Sequence, residues 1–234
     1  MNGTDNPVEE NVERPRIPLA GILVTAASVV LMALVSWTAW PDLPGTVLSG
    51  RTNLDGTPDT VPRAVLALAL PLTTGLLAVV LSAAVVFGTR LQNGLQDALG
   101  LPAAPKARNA ARGMSALLGL LSLFLLVTHG VLVLGQAGWD LPISRVLGVA
   151  TGLFLVGVGV VLPAPEPGAD HDRPLARWWS AAHRLMRTGF VLVGSAQAAV
   201  VLFVDHMLAW LLVPLLLLPA MCAAVVLPLL RGRA

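Results

Sequence analysis

The charged residues are spaced so that six long segments of the chain contain none of them. These segments are residues 17–41, 64–89, 113–139, 146–165, 188–204 and 206–230. Each holds between 17 and 27 residues, most of them apolar. A helix that crosses a hydrocarbon core of about 30 Å needs about 20 such residues, and only a helix satisfies its own backbone there. The pattern therefore predicts an all-α, polytopic bundle of six transmembrane helices.

The composition supports a membrane protein and disfavours several other classes. Hydrophobic residues make up 56% of the 234 residues and charged residues 12%, compared with about 45–50% and about 25% in soluble domains. An ordinary soluble enzyme and a domain that binds nucleic acid directly are therefore disfavoured. The single cysteine, Cys222, excludes an internal disulfide.

The basic residues predict the orientation of the spans. Cytoplasmic loops carry an excess of Lys and Arg. Twelve of the fifteen basic residues fall in alternate segments that include both ends of the chain, whereas Arg51, Arg63 and Arg145 fall in the others. Both termini are thus expected in the cytoplasm. Tryptophans favour the membrane boundaries, and four of them lie near the predicted outer one: Trp37, Trp40, Trp139 and Trp210.

This topology divides the chain into a few regions. A disordered cytoplasmic tail is expected first, then a helix pair with an outer loop, a cytoplasmic loop, a four-helix membrane region and a short cytoplasmic tail. In the same order, the regions are 1–16; 17–88, which includes the outer loop 41–62; 89–112; 113–230, which includes the cytoplasmic loop 164–187; and 231–234.

Two polar residues stand out inside the predicted spans, where ionisable groups are costly. His129 lies in the third span and Gln197 in the fifth. Interhelical hydrogen bonding is the favoured interpretation of both, and a proton or ligand role of His129 is the alternative. No nucleophile elbow, phosphate loop or His-Glu-x-x-His motif is present. We therefore expect no catalytic residues and no cofactor.

The fourth predicted span is rich in glycine. Gly148 and Gly152 form a Gly-x-x-x-Gly pair, and Gly157 and Gly159 follow. Small residues allow helices to approach closely. The fourth span is therefore expected at the centre of the packing, although the pair could also serve an external helix.

The outer loop 41–62 is a candidate surface for binding a ligand or partner. Its polar residues could suggest calcium, but the first EF-hand ligand position would be Arg51 and the twelfth Pro62, so no metal site is predicted. An ordered turn with a left-handed bend at a glycine explains the composition better. The candidate contact residues are Arg51, Asn53, Asp55, Gly56 and Asp59.

The inner loop 164–187 is the second candidate surface. The loop contains Asp and His residues but no cysteine, and the spacing of these residues does not match a zinc site. Residues 175–187 have helical character with apolar and basic positions, which is typical of a helix at the membrane interface. The candidate contact residues are Trp179, His183, Arg184 and Arg187.

Both surfaces resemble parts of the SdpI family of bacterial membrane proteins. Asn53, Gly56 and Asp59 match the family's Asn-x-x-Gly-x-x-Asp pattern in the same outer loop, before a span that contains Pro71. The approach to span five is similar to the family's Trp-x-x-x-His-Arg-Leu segment with its following Phe and Gly. The matching residues are Trp179, His183, Arg184, Leu185, Phe190 and Gly194.

The resemblance implies a non-enzymatic protein of immunity or signal-transduction type. The family's namesake protects its producer from a secreted antimicrobial peptide and holds a helix-turn-helix repressor at the membrane. One Lys against fourteen Arg suggests a bacterium with a GC-rich genome as the source. With the predicted spans, the protein is therefore expected in the bacterial cell membrane. Two alternatives remain: a small-solute transporter, suggested by His129 and the prolines in the spans, and a structural subunit of a membrane assembly. A homo-oligomer is compatible with each.

Overall fold

The fold is a helical bundle with one small β-hairpin, shown by a computed structural model that describes residues 17–52, 56–99, 107–162, 174–204 and 212–231. The helices are α1 (Leu19–Ala39), α2 (Arg63–Leu99), α3 (Ala107–Gln136), α4 (Ile143–Val161), α5 (Pro174–Phe203) and α6 (Leu217–Arg231). Two antiparallel strands, β1 (Thr46–Thr52) and β2 (Pro58–Pro62), connect α1 to α2.

Five helices contain stretches long and apolar enough to cross a membrane. They occupy the first five predicted spans, which makes the chain a multi-pass membrane protein. The sixth predicted span, 206–230, is described only from residue 212 onwards. That part contains a shorter apolar helix, Leu212–Val226, interrupted by a turn at Leu216.

Successive helices run in opposite directions, as contacts at the two ends of the bundle show. At one end Ala39 at the end of α1 clusters with Val133 near the end of α3. At the other end Gly21 of α1 meets Ser115 of α3, and Gly159 of α4 meets Arg187 of α5. We call these the hairpin end and the far end. Arg51, Arg63 and Arg145 all lie at the hairpin end.

Glycines place α4 between α3 and α5, in agreement with the prediction for this span. A Cβ on Gly152 would lie 2.6 Å from the carbonyl oxygen of Gly194 in α5. A Cβ on Gly157 would lie 2.7 Å from the side chain of Leu120 in α3. The Gly-x-x-x-Gly face therefore packs inside the bundle, because Gly148 also contacts Val201 of α5.

The all-α bundle expected from the sequence agrees with the structure, which adds two details. The outer loop contains the β-hairpin. Helix α2 continues to Leu99 and α3 begins at Ala107, so the described parts of the predicted connection 89–112 are helical. Charges such as Arg90 end a membrane span, but they do not end a helix, because Arg has good helix propensity.

Candidate functional site

The described part of the outer loop 41–62 contains the β-hairpin. Val47 pairs with Val61 and Leu48 with Thr60, and the register shifts before Thr52 pairs with Pro58. Gly56 in the connection has a φ of +82°, a left-handed conformation that glycine adopts without steric cost. The glycine bend expected from the sequence is therefore confirmed, and it forms part of a hairpin.

Apolar residues fix the hairpin to the bundle. Leu43, between α1 and β1, forms a buried cluster with Ala39 and Val133. Val47 on β1 is also buried, with 2% of its surface exposed. Burial of one Val or Leu side chain contributes about 1.5–3 kcal/mol. The hairpin is thus part of the folded core at this end.

Arg63 makes a second attachment at the junction of β2 and α2. Its Nη1 donates to the carbonyl oxygens of Trp40 and Leu43, each at 3.3 Å. Its guanidinium also lies 4.4 Å from the centre of the Trp40 ring, within the range of a cation–π interaction. The carbonyls near the C-terminus of α1 are thereby satisfied by a cation, which also suits the helix dipole.

The polar face of the hairpin carries some of the predicted contact residues. Ser49 Oγ donates to Asp59 Oδ2 at 3.0 Å and accepts from the backbone N–H of Arg51 at 3.1 Å. Arg51 is exposed and Asp59 is half-buried. Asn53 and Asp55 lie outside the described residues. The hairpin therefore brings together one cation and one hydrogen-bonded carboxylate on a fixed backbone.

His129 forms a polar junction between three helices. Its side chain is fully buried, and Nε2 lies 2.8 Å from Ser36 Oγ of α1 and 3.2 Å from the carbonyl oxygen of Met32. Because a carbonyl only accepts, the proton belongs on Nε2. Ser36 Oγ in turn donates to the carbonyl oxygen of Ala67 in α2, at 3.3 Å. The geometry is that of an interhelical hydrogen-bond network.

A second polar contact joins α1 and α3 near the far end. Thr25 Oγ1 donates to the carbonyl oxygen of Gly21 and lies 2.7 Å from Ser122 Oγ. Thr25 and Ser122 are each at most 3% exposed. Sequence reasoning missed this pair, although a serine and a threonine in adjacent spans were a weak signal for it.

Gln197 of α5 is buried, with 3% of its surface exposed. No donor among the described residues reaches its Oε1. The structure does not bring Gln197 together with the His129 junction through any hydrogen bond between described residues. The two intramembrane polar residues are therefore separate features.

The far end contains the second set of predicted contact residues, all on α5. His183 is buried and Arg184 is exposed, and Trp179 lies on the same helix. Arg187 donates from Nε to the carbonyl oxygen of Gly159 at 3.2 Å and from Nη2 to that of Val160 at 3.4 Å. Arg187 thus caps the C-terminus of α4, where a cation is favourable.

Residues 174–187 belong to the continuous helix α5, so the helical character predicted for 175–187 is confirmed. The segment continues without a break into the apolar part of α5, as expected for a helix that leads into span five. Near its start, Trp178 Nε1 donates to the carbonyl oxygen of Val225 in α6 at 2.9 Å. Asp170, His171 and Asp172 lie outside the described residues.

No group of three or more His, Cys, Asp or Glu side chains that could hold a metal ion occurs within the part of the chain that the structure describes. The described residues present two candidate surfaces: the hairpin at one end and, at the other, the part of α5 around the exposed side chains of Arg184 and Leu185. In comparisons with known proteins, no family model, curated sequence or solved structure matches the chain.

Proposed function

We propose that the protein is a non-enzymatic membrane protein of immunity or signal-transduction type in a bacterial cytoplasmic membrane. In this proposal six helices span the membrane and both termini are cytoplasmic. The hairpin contacts a secreted antimicrobial peptide outside, and the start of α5 contacts a helix-turn-helix repressor inside. The resemblance to the SdpI family at both surfaces motivates the assignment.

The distribution of bases supports the orientation. Arg51, Arg63 and Arg145 lie at the hairpin end, whereas Arg112, Arg184 and Arg187 lie at the far end. Among the described helices the far end holds more bases than the hairpin end: Arg90, Arg108, Arg112, Arg177, Arg184, Arg187 and Arg231. The far end is therefore the cytoplasmic side in this proposal.

The observation that carries the proposal is the attachment of the hairpin to the helices. Leu43 and Val47 are buried, and Arg63 links the start of α2 to the end of α1. A ligand bound to the strands therefore acts directly on the ends of α1 and α2. Such coupling requires that the ligand binds one conformation of the bundle more tightly than another.

Photo-crosslinking in native membranes tests the outer surface. A benzoylphenylalanine at Leu48, which is 57% exposed on β1, is expected to capture a small secreted peptide. The matched control is the same replacement at Leu72, which is 67% exposed on α2. Capture of a peptide at position 48 and not at position 72 supports the proposal.

Two other results would contradict this proposal. A stoichiometric membrane protein captured at position 72, with nothing at position 48, would favour a structural subunit. No product at position 48 in cells that secrete peptides would remove the sensing role of the hairpin.

Charge reversal of Arg184 tests the inner surface. Arg184→Glu is expected to reduce the amount of repressor that co-purifies by at least about tenfold, since a charge-assisted contact contributes about 1.5–3 kcal/mol. Arg187 is unsuitable for this test because it caps α4. The matched control is Arg112→Glu, an exposed arginine of α3 at the same end. Equal recovery of the repressor with the wild type, Arg184→Glu and Arg112→Glu, measured by quantitative immunoblotting, would exclude this role of Arg184.

A transporter is less well supported. His129, which motivated that alternative, is fully buried and lies within hydrogen-bond distance of Ser36 and of the carbonyl oxygen of Met32 in α1. A transport path needs polar groups that reach an aqueous cavity. The junction therefore favours packing as the function of His129.

A further inference from the structure

A groove runs along the outside of the bundle between α3 and α4 at the hairpin end. Its volume is about 550 Å³, within the range of about 300–1,000 Å³ typical of small-molecule sites. Leu202 of α5 contributes to one side. The groove is open rather than enclosed, and α3 and α4 place it within the membrane-crossing part of the bundle.

The groove is lined almost entirely by apolar side chains. Leu123 and Val127 come from α3, and Val149 and Leu153 come from α4. Phe124 and Phe154 stack with their ring centres 5.0 Å apart and also line it. An apolar wall of this kind fits a hydrocarbon chain and no polar ligand.

One charged residue lines the groove among those that the structure describes. Arg145 lies in the first turn of α4 and is exposed, so its side chain marks the end of the groove nearest the hairpin. A guanidinium has five N–H donors in a planar arrangement that suits phosphate oxygens. The groove therefore combines an apolar floor with a cationic end.

The length of the groove matches one leaflet of a bilayer. Arg145 and Phe154 are nine residues apart on α4, which corresponds to about 14 Å of helix. Half of a hydrocarbon core of about 30 Å is about 15 Å. A lipid whose phosphate contacts Arg145 would thus place its acyl chain along the full apolar wall.

We propose that this groove is a binding site for an anionic phospholipid of the leaflet on the hairpin side. The acyl chain lies between α3 and α4, and the phosphate binds Arg145. The charge of Arg145 selects an anionic headgroup over a zwitterionic one, and the apolar wall supplies affinity for the chain. This inference does not depend on the sensing function proposed above.

Native mass spectrometry of the purified full chain in detergent micelles tests the site. Phosphatidylglycerol is expected to bind at one tight site per chain, with an affinity about tenfold higher than that of phosphatidylcholine. Arg145→Gln is expected to remove this preference, because phosphatidylglycerol loses more affinity than phosphatidylcholine, whose choline group offsets the phosphate charge. Ala150→Trp, which fills the groove from α4, is expected to abolish tight binding of both lipids.

Matched variants control for general effects of charge and bulk. Arg112→Gln removes an exposed arginine at the far end, and Ala69→Trp adds the same bulk at an exposed position of α2. Both are expected to bind phosphatidylglycerol as the wild type does.

Equal affinity of the wild type for the two lipids would overturn the proposal. So would an unchanged preference in Arg145→Gln, or tight binding retained in Ala150→Trp. If Ala150→Trp does not fold, as judged by gel filtration and circular dichroism, the Arg145→Gln comparison decides alone.

Discussion

Replacement of Gly152 by alanine is expected to lower the free energy of unfolding by about 1–3 kcal/mol, the usual cost of inserting a methyl group into a filled contact. The added Cβ would lie 2.6 Å from the carbonyl oxygen of Gly194 and 2.8 Å from the backbone nitrogen of Ala198. Both neighbours are backbone atoms of α5, so α4 and α5 must separate to relieve the contact. Unfolding in detergent micelles, followed by circular dichroism, measures the loss.

Gly75→Ala is the matched control for this prediction. Apart from its chain neighbours and the backbone of its own helix, no atom lies within 4 Å of a Cβ built on Gly75 of α2. Alanine also has a higher helix propensity than glycine by about 1 kcal/mol. The control is therefore expected to be neutral or stabilising. A Gly152→Ala protein as stable as Gly75→Ala would show that α4 and α5 are not in close contact.

The second large effect is expected from His129→Ala, which should lower the free energy of unfolding by about 2–4 kcal/mol. The substitution empties a fully buried site and removes the hydrogen bond to Ser36. The same unfolding measurement applies. A Ser36→Ala, His129→Ala double-mutant cycle is expected to give a coupling energy of about 1 kcal/mol.

Thr128→Ala provides the neighbouring control. Thr128 Oγ1 donates to the carbonyl oxygen of Phe124 in its own helix, at 2.9 Å, so its loss is expected to change stability by about 0.5 kcal/mol or less. If His129→Ala keeps the stability of the wild type but abolishes uptake of a solute into liposomes, the transporter alternative would replace the proposal.

The helices and their glycine contacts follow from the sequence because each depends on local pattern. Charge-free apolar segments predict α1 to α5, since the membrane leaves the backbone no other structure. The glycines of α4 predict close packing, and Gly152 and Gly159 contact α5. The sequence could not specify α5 as the partner, because any helix with a small residue at the right height would satisfy the same pattern.

The hairpin was not predicted because its strands have no clear alternation of apolar and polar residues. Thr46–Thr52 includes Ser49, Gly50 and Arg51, and Pro58–Pro62 begins and ends with proline. Proline donates no backbone hydrogen bond and is usually confined to strand ends or edges. The hairpin is stabilised by tertiary contacts of Leu43 and Val47, which no local pattern shows.

Two arginines have roles that charge counting alone does not reveal. Arg63 and Arg187 were both interpreted through their charge, as markers of orientation or contacts for lipid and partner. In the structure each also donates to backbone carbonyls at the end of a helix, α1 for Arg63 and α4 for Arg187. These partners are distant in sequence, so only the folded arrangement identifies them.

Helix α2 continues to Leu99, well past its apolar stretch Arg63–Gly88, so a bend near its start would be amplified at its end. Its 37 residues correspond to about 55 Å, compared with a hydrocarbon core of about 30 Å. Pro71 lies inside α2 near the hairpin, and proline weakens a helix at one position. From there to Leu99 the helix is about 42 Å long, so a bend of about 10° at Pro71 would move Leu99 by about 7 Å. A small displacement of the hairpin would thus become a movement of several ångströms at the far end of the bundle.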